Sequence, residues 1–171
     1  MQRILGSLVM VVALFVSAAP VAAGGPPVHS SEPAPPNQFA AAELCPFAVE
    51  FGATTDRSKQ TTFAVKKDGS QRFLDRGFAA GYATNLETEM TIDHAGGYMI
   101  SVVINADGSV QADGHGRFFA YYFAGDRSDI GVGLFAVEGH VTEWYSADGM
   151  LIGTRTTGHV TDLCDALVPA G

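Results

Sequence analysis

The sequence predicts an all-β domain: an antiparallel meander of about eight or nine strands, closed into a barrel, its ends joined by one disulfide. A two-sheet β-sandwich is the alternative. Three observations carry this reading. Apolar residues recur with a period of two, Asp-Gly and Gly-Gly dipeptides punctuate the runs, and Cys45 and Cys164 stand at the two ends of the β-rich stretch.

Taken in order, residues 1–23 read as a secretory signal. Arg3 supplies the positive start, 4–18 is an apolar run, and Val21-Ala22-Ala23 offers the small residues that place cleavage after Ala23. An uncleaved membrane anchor is the rival, but the run falls short of the roughly 20 apolar residues that span a bilayer. No cysteine adjoins the cleavage site to take a lipid, and no later stretch is apolar enough to span. The expected location is therefore extracellular. Residues 24–43 are rich in proline and glycine and read as a disordered spacer, with one helical turn possible at 39–44. The β domain follows at 44–171.

Within the domain, Phe47, Val49 and Phe51 alternate with Ala48, Glu50 and Gly52, and Tyr98, Ile100, Val102 and Ile104 share one face of another strand. Such alternation turns one face to a core and the other to water. The expected strands are 46–54, 60–67, 71–84, 88–94, 98–105, 109–123, 131–145 and 150–163. A break at Arg76-Gly77 would add a ninth, and bulges are expected at Gly114, Gly116 or Gly139. Turns are expected at Asp68-Gly69, Gly96-Gly97, Asp107-Gly108 and Asp148-Gly149, where glycine accepts positive φ.

Two cysteines in an exported chain pair, because their thiols meet an oxidising environment. Cys45 starts the first strand and Cys164 ends the last, so a bridge makes those strands neighbours, and a meander whose terminal strands touch closes into a barrel. The formal charge is −8, from 10 Lys and Arg against 18 Asp and Glu; loss of Arg3 with the signal leaves 9 against 18, or −9. Such acidity argues against nucleic acid or an anionic membrane surface as partner.

Several short motifs resemble an uncharacterised family of small secreted β-rich proteins of Gram-positive bacteria. They are Cys45-Pro46-Phe47, Thr84-Asn85-Leu86, Gly116-Arg117 before an aromatic strand, and an ending formed by Gly158, Asp162, Cys164 and Leu167. The resemblance departs at His115, where threonine is expected before Gly-Arg. It implies secretion and a β fold, and brings no activity and no catalytic residues.

Few residues suggest chemistry. Asp113-x-His115 and Glu138-x-His140 each place a carboxylate and an imidazole on one strand face, which suits a metal or an acid–base pair, though neither spacing is a metal signature. His94 and His159 have no evident partners in sequence. There is no nucleophile elbow, phosphate loop or calcium loop, and no cofactor is expected. The run 118–123 is the best candidate surface. Phe118 and Tyr122 fall on one side and Phe119, Tyr121 and Phe123 on the other, and one side needs a cover: the N-terminal segment, a second subunit or a ligand. Phe119, Tyr121, Tyr122 and Phe123 are accordingly the candidate ligand-binding residues. Glu143-Trp144-Tyr145, beside the Asp148-Gly149 turn, is a smaller exposed-aromatic candidate.

These features favour a module that binds a small apolar ligand or a sugar. The alternative is an envelope-associated protein-interaction domain. An enzyme, a barrel cyclase or isomerase, is the third reading, and it requires His94 to point inward beside another polar group.

Overall fold

A computed structural model describes residues 27–30 and 33–169; the expected signal at 1–23 lies outside them. The strands are β1 (Val28–Ser30), β2 (Asn37–Phe39), β3 (Val49–Thr62), β4 (Gln71–Asn85), β5 (Thr91–Ile104), β6 (Val110–Tyr122), β7 (Gly133–Tyr145) and β8 (Leu151–Asp162). One short helix, α1 (Leu163–Ala166), follows β8. Every pairing is antiparallel, and β3 to β8 run as a meander in sequence order. The all-β meander is as the alternation requires.

The curl stops at a half-barrel. β8 pairs with β7, and the outer side of β3 is taken by β1 and β2, so β3 and β8 share no ladder. The disulfide joins the ends without one. Its Cα atoms are 5.2 Å apart, but Cys45 precedes β3 and Cys164 lies in α1, so the bridge clasps the chain beyond the strand ends. Asp162 caps α1 by accepting from the Cys164 amide at 2.8 Å, which fixes where the half-cystine points.

Three of the four expected turns form at positive φ: Gly69, Gly108 and Gly149. Gly96-Gly97 instead lies inside β5, opposite Ala79 and Phe78, so 88–94 and 98–105 merge into one strand. A Cβ at Gly96 would stand 2.5 Å from that of Arg117, so glycine there leaves room for a side chain. β4 runs unbroken through Arg76-Gly77. Within 24–43, Val28–Ser30 and Asn37–Phe39 are strands, and 39–44 is a strand end followed by a turn.

No register shift occurs at Gly114, Gly116 or Gly139; the shifts fall at Ala53/Thr55 and Trp144/Tyr145. The glycines bend the sheet in another way. Ser58, Gly77, Tyr98, Gly116, Gly139 and Gly158 form one row across β3 to β8. A Cβ at Gly77, Gly116, Gly139 or Gly158 would come within 2.1–2.4 Å of a carbonyl oxygen on the neighbouring strand. Only a residue without Cβ lets the strands approach so closely, and the sheet curls along this row.

Above the row, toward the disulfide, β5 leaves β6: their ladder ends at Tyr98 and Gly116. The parted strands face each other across a core of Phe47, Val49, Phe51, Ala83, Tyr121 and Leu134, closed by Leu163 and Leu167 of the helical end. Below the row the inward face carries Phe73, Ile100, Val102 and Ala112, joined through Val110 to a cluster of Val141, Tyr145 and Leu151. Side chains thus fill the concave side.

Candidate functional site

The aromatic run keeps the expected alternation, and the chain itself covers both sides. Tyr121, only 8% exposed, meets Phe51 at 5.2 Å and Phe39 at 5.7 Å between ring centroids, and Phe119 and Phe123 pack on the same core. Phe39 of β2 supplies the cover from the N-terminal segment. Tyr122, fully buried, belongs to the opposite core with Phe135 and Val137. These four residues contribute to core packing.

On the inward face, Glu143 is 1% exposed and accepts from Tyr122 Oη at 2.9 Å and Tyr145 Oη at 2.7 Å. Burial raises its carboxyl above the ordinary range, and the two hydroxyls partly offset that by bonding the charged form. The same burial and the Glu143 charge push both phenols up. Of the Glu143-Trp144-Tyr145 candidate, therefore, Trp144 alone is on the surface.

A second inward cluster is less well satisfied. Tyr98 Oη lies 3.2 Å from Asp56 Oδ1 and 3.3 Å from Asp75 Oδ2, so its one proton serves two carboxylates. Asp75 Oδ1 is buried without a hydrogen-bond partner. Burial, and for Asp75 also the neighbouring Asp56 charge, raises both carboxyls above their usual range, with Tyr98 pulling the other way.

His94 does point inward. Its ring lies 5.3 Å from Phe119, its Nε2 is buried without a hydrogen-bond partner, and burial holds the imidazole below its usual range. The polar groups whose charges act on it are Glu138 and Arg117, which pair with each other at 3.0 Å.

The outward face of β5 to β8 collects the remaining candidates. His115 and His140 stack across β6 and β7 with centroids 4.0 Å apart and planes 4° from parallel. Asp113 reaches across the strands to His140 Nε2 at 3.5 Å and accepts from Thr142 Oγ1 at 2.8 Å and Gln111 Nε2 at 2.9 Å. The acid-x-His pairs are thus regrouped across strands: Asp113 joins His140, and Glu138 joins Arg117. Among the described residues no three His, Cys, Asp or Glu side chains are grouped to hold a metal ion. Trp144, 37% exposed, continues this face next to Gln111, its ring over Gly153. His159 lies two strands from Arg117 along the same row and is exposed.

The Asp56–Asp75–Tyr98 cluster did not figure among the sequence candidates, and Glu143, Tyr145 and Tyr122 figured there as surface residues, not as a buried cluster. Parity was the available signal: Glu143 shares the face of Val141 and Tyr145, and Asp75 that of Phe73. Comparison with family models, curated proteins and solved structures finds no match for this chain. Among the described residues no helix is long and apolar enough to cross a membrane.

Proposed function

We propose that this is a secreted sugar-binding module that works through the outward face of its sheet. The supporting observation is the strip of Trp144, Gln111, Asp113, His140 and His115, with the buried Thr142 hydroxyl bonding Asp113 from beneath. It combines a half-exposed indole with hydrogen-bonding groups held in register by β6 and β7. A sugar presents an apolar ring face and a rim of hydroxyls, and such a strip complements both. The concave side is occupied by the chain's own side chains, which leaves recognition to the outside. Secretion is supported by the disulfide and by the resemblance to small secreted proteins.

Depletion of the mature protein by a panel of insoluble polysaccharides tests this reading. Trp144→Ala should weaken retention roughly tenfold while the thermal melt stays within about 2 °C of the parent. Retention by none of the polysaccharides, or retention indifferent to Trp144→Ala, would overturn it.

A protein-interaction domain is the second reading. It is favoured by the apolar tip at the β7–β8 hairpin, where Met150 is 62% and Ile152 46% exposed beside Trp144.

A further inference from the structure

We infer that the ligand of this face is an anionic polysaccharide, a polymer with acidic groups on successive sugars. This rests on the sugar-binding reading and adds its chemical class. The ladders set Arg57 and Lys59 of β3, Arg72 and Arg76 of β4 and Arg155 of β8 at outward positions, whereas the Arg117–Glu138 pair lies over Gly96, between the parted strands. From the level of Arg57 down to that of Arg72 and Trp144, the one outward acid on these ladders is Asp113. Five cations against one acid give this face a net +4 in a chain whose total is −8. The positive charge is therefore segregated onto the surface that carries Trp144 and the histidine pair.

The pattern suits a flexible chain laid across the strands. One row reads Lys59, Arg76, Met99, His115, His140, Thr157, one residue per strand. Neighbouring strands are about 4.8 Å apart, roughly the length of one sugar ring. A chain crossing the sheet thus meets a fresh side chain at each ring. The outward face of a half-barrel is convex, which a flexible polymer can follow. A planar bilayer would touch only its crest, and stiff duplex DNA resists wrapping on this scale. The net negative charge of the whole molecule further disfavours a partner as densely charged as a nucleic acid.

Polygalacturonate and its methyl ester provide the test, because they share a backbone and differ in charge. The mature protein should bind the polyacid at least tenfold more tightly than the ester, and raising NaCl from about 50 to about 300 mM should weaken that binding roughly tenfold. The double substitution Arg72→Ala and Arg76→Ala should reduce binding to the polyacid by a similar factor, with the melt lowered by no more than about 4 °C. Equal binding to acid and ester would overturn the charge inference and leave the sugar reading standing. Binding to neither would count against both. Duplex DNA or anionic phosphatidylserine vesicles bound as tightly as the polyacid would overturn the choice of a polysaccharide.

Discussion

The two faces of β6 and β7 are built from the same strands and do opposite work. Inward, Ala112, Ala120 and Tyr122 lie opposite Glu143, Phe135 and Gly133, all buried. Outward, Asp113, His115 and Gln111 lie opposite Thr142, His140 and Trp144; His115 and Trp144 are exposed, Asp113, Gln111 and His140 half-buried, and Thr142 buried beneath Asp113. The carboxylates show the contrast. Glu143 is sealed between two tyrosine hydroxyls, whereas Asp113 shares itself among a glutamine, a threonine and a histidine at the surface. Below the glycine row, period two thus separates a packed face from the face proposed for recognition. Substitutions inside should be read in the unfolding free energy and substitutions outside in binding.

The largest effect should come from the bend that makes one face inward. Gly139→Ala places a Cβ 2.1 Å from Thr157 O, an overlap that the strand can relieve only by moving away from β8. A loss of about 3 kcal/mol is expected in urea unfolding. Gly97→Ala is the control: its Cβ would sit 3.7 Å from the nearest atom, Gly77 O, so it should be neutral or stabilise by up to about 1 kcal/mol. Equal costs at the two positions would show that the glycine row does not shape the sheet.

That row also marks where the sequence stops being legible. Strand faces follow from alternation along one strand, so the two sides of Phe118–Phe123 and the three Asp-Gly turns were readable locally. A row needs the register of several strands at once. Gly116 and Gly139 therefore look like separate bulges until β6 is laid against β7, and Gly96-Gly97 looks like a turn until Arg117 is seen beside it. Closure is just as non-local. A disulfide at the ends is consistent with a full barrel or with a half-barrel clasped outside its ladder, and only the strand pairings decide, since β3 takes β1 and β2 in place of β8. The basic face was hidden by averaging: Arg72 and Arg76 have the parity opposite to Phe73 and Asp75, but a total of −8 conceals their segregation.

A smaller effect should appear in the pH dependence of stability. The folded-state carboxyl of Glu143 is raised, as are those of Asp56 and Asp75, so the folded protein holds protons that the unfolded chain releases. Their contribution is most favourable near and below the unfolded carboxyl value, about 4. It is lost as pH rises through the folded values. Asp129, with its carboxyl lowered by bonds to Thr154 and Thr156, acts oppositely and loses its stabilisation as pH falls below about 4. Stability should therefore peak in mild acid. Glu143→Gln removes one of the raised groups while keeping a side chain that can bond both tyrosines. It should make the decline above about pH 4 shallower and change neutral-pH stability by about 1–2 kcal/mol. An unaltered slope would mean that Glu143 does not titrate with folding.

The smallest stability effect should be outward, and its smallness is the point of the comparison. Arg76 is exposed on β4, opposite Met99 and Lys59, and its neighbour along the row is another cation. Removing it takes away no buried surface and relieves repulsion from Lys59, so Arg76→Ala should lie within about 0.5 kcal/mol of the parent by chemical denaturation. Arg72 is the sharper case. It donates from Nε to Ser101 at 3.0 Å and lies 5.4 Å from the centroid of the Phe63 ring, contacts that hold the β3–β4 hairpin side of the face in place. Arg72→Ala should cost about 0.5–1 kcal/mol through that cation–π contact, whereas Arg72→Lys should recover part of it. If Arg76→Ala instead proved as destabilising as Gly139→Ala, the outward charges would be part of what holds the sheet together, and their clustering would no longer point to a ligand.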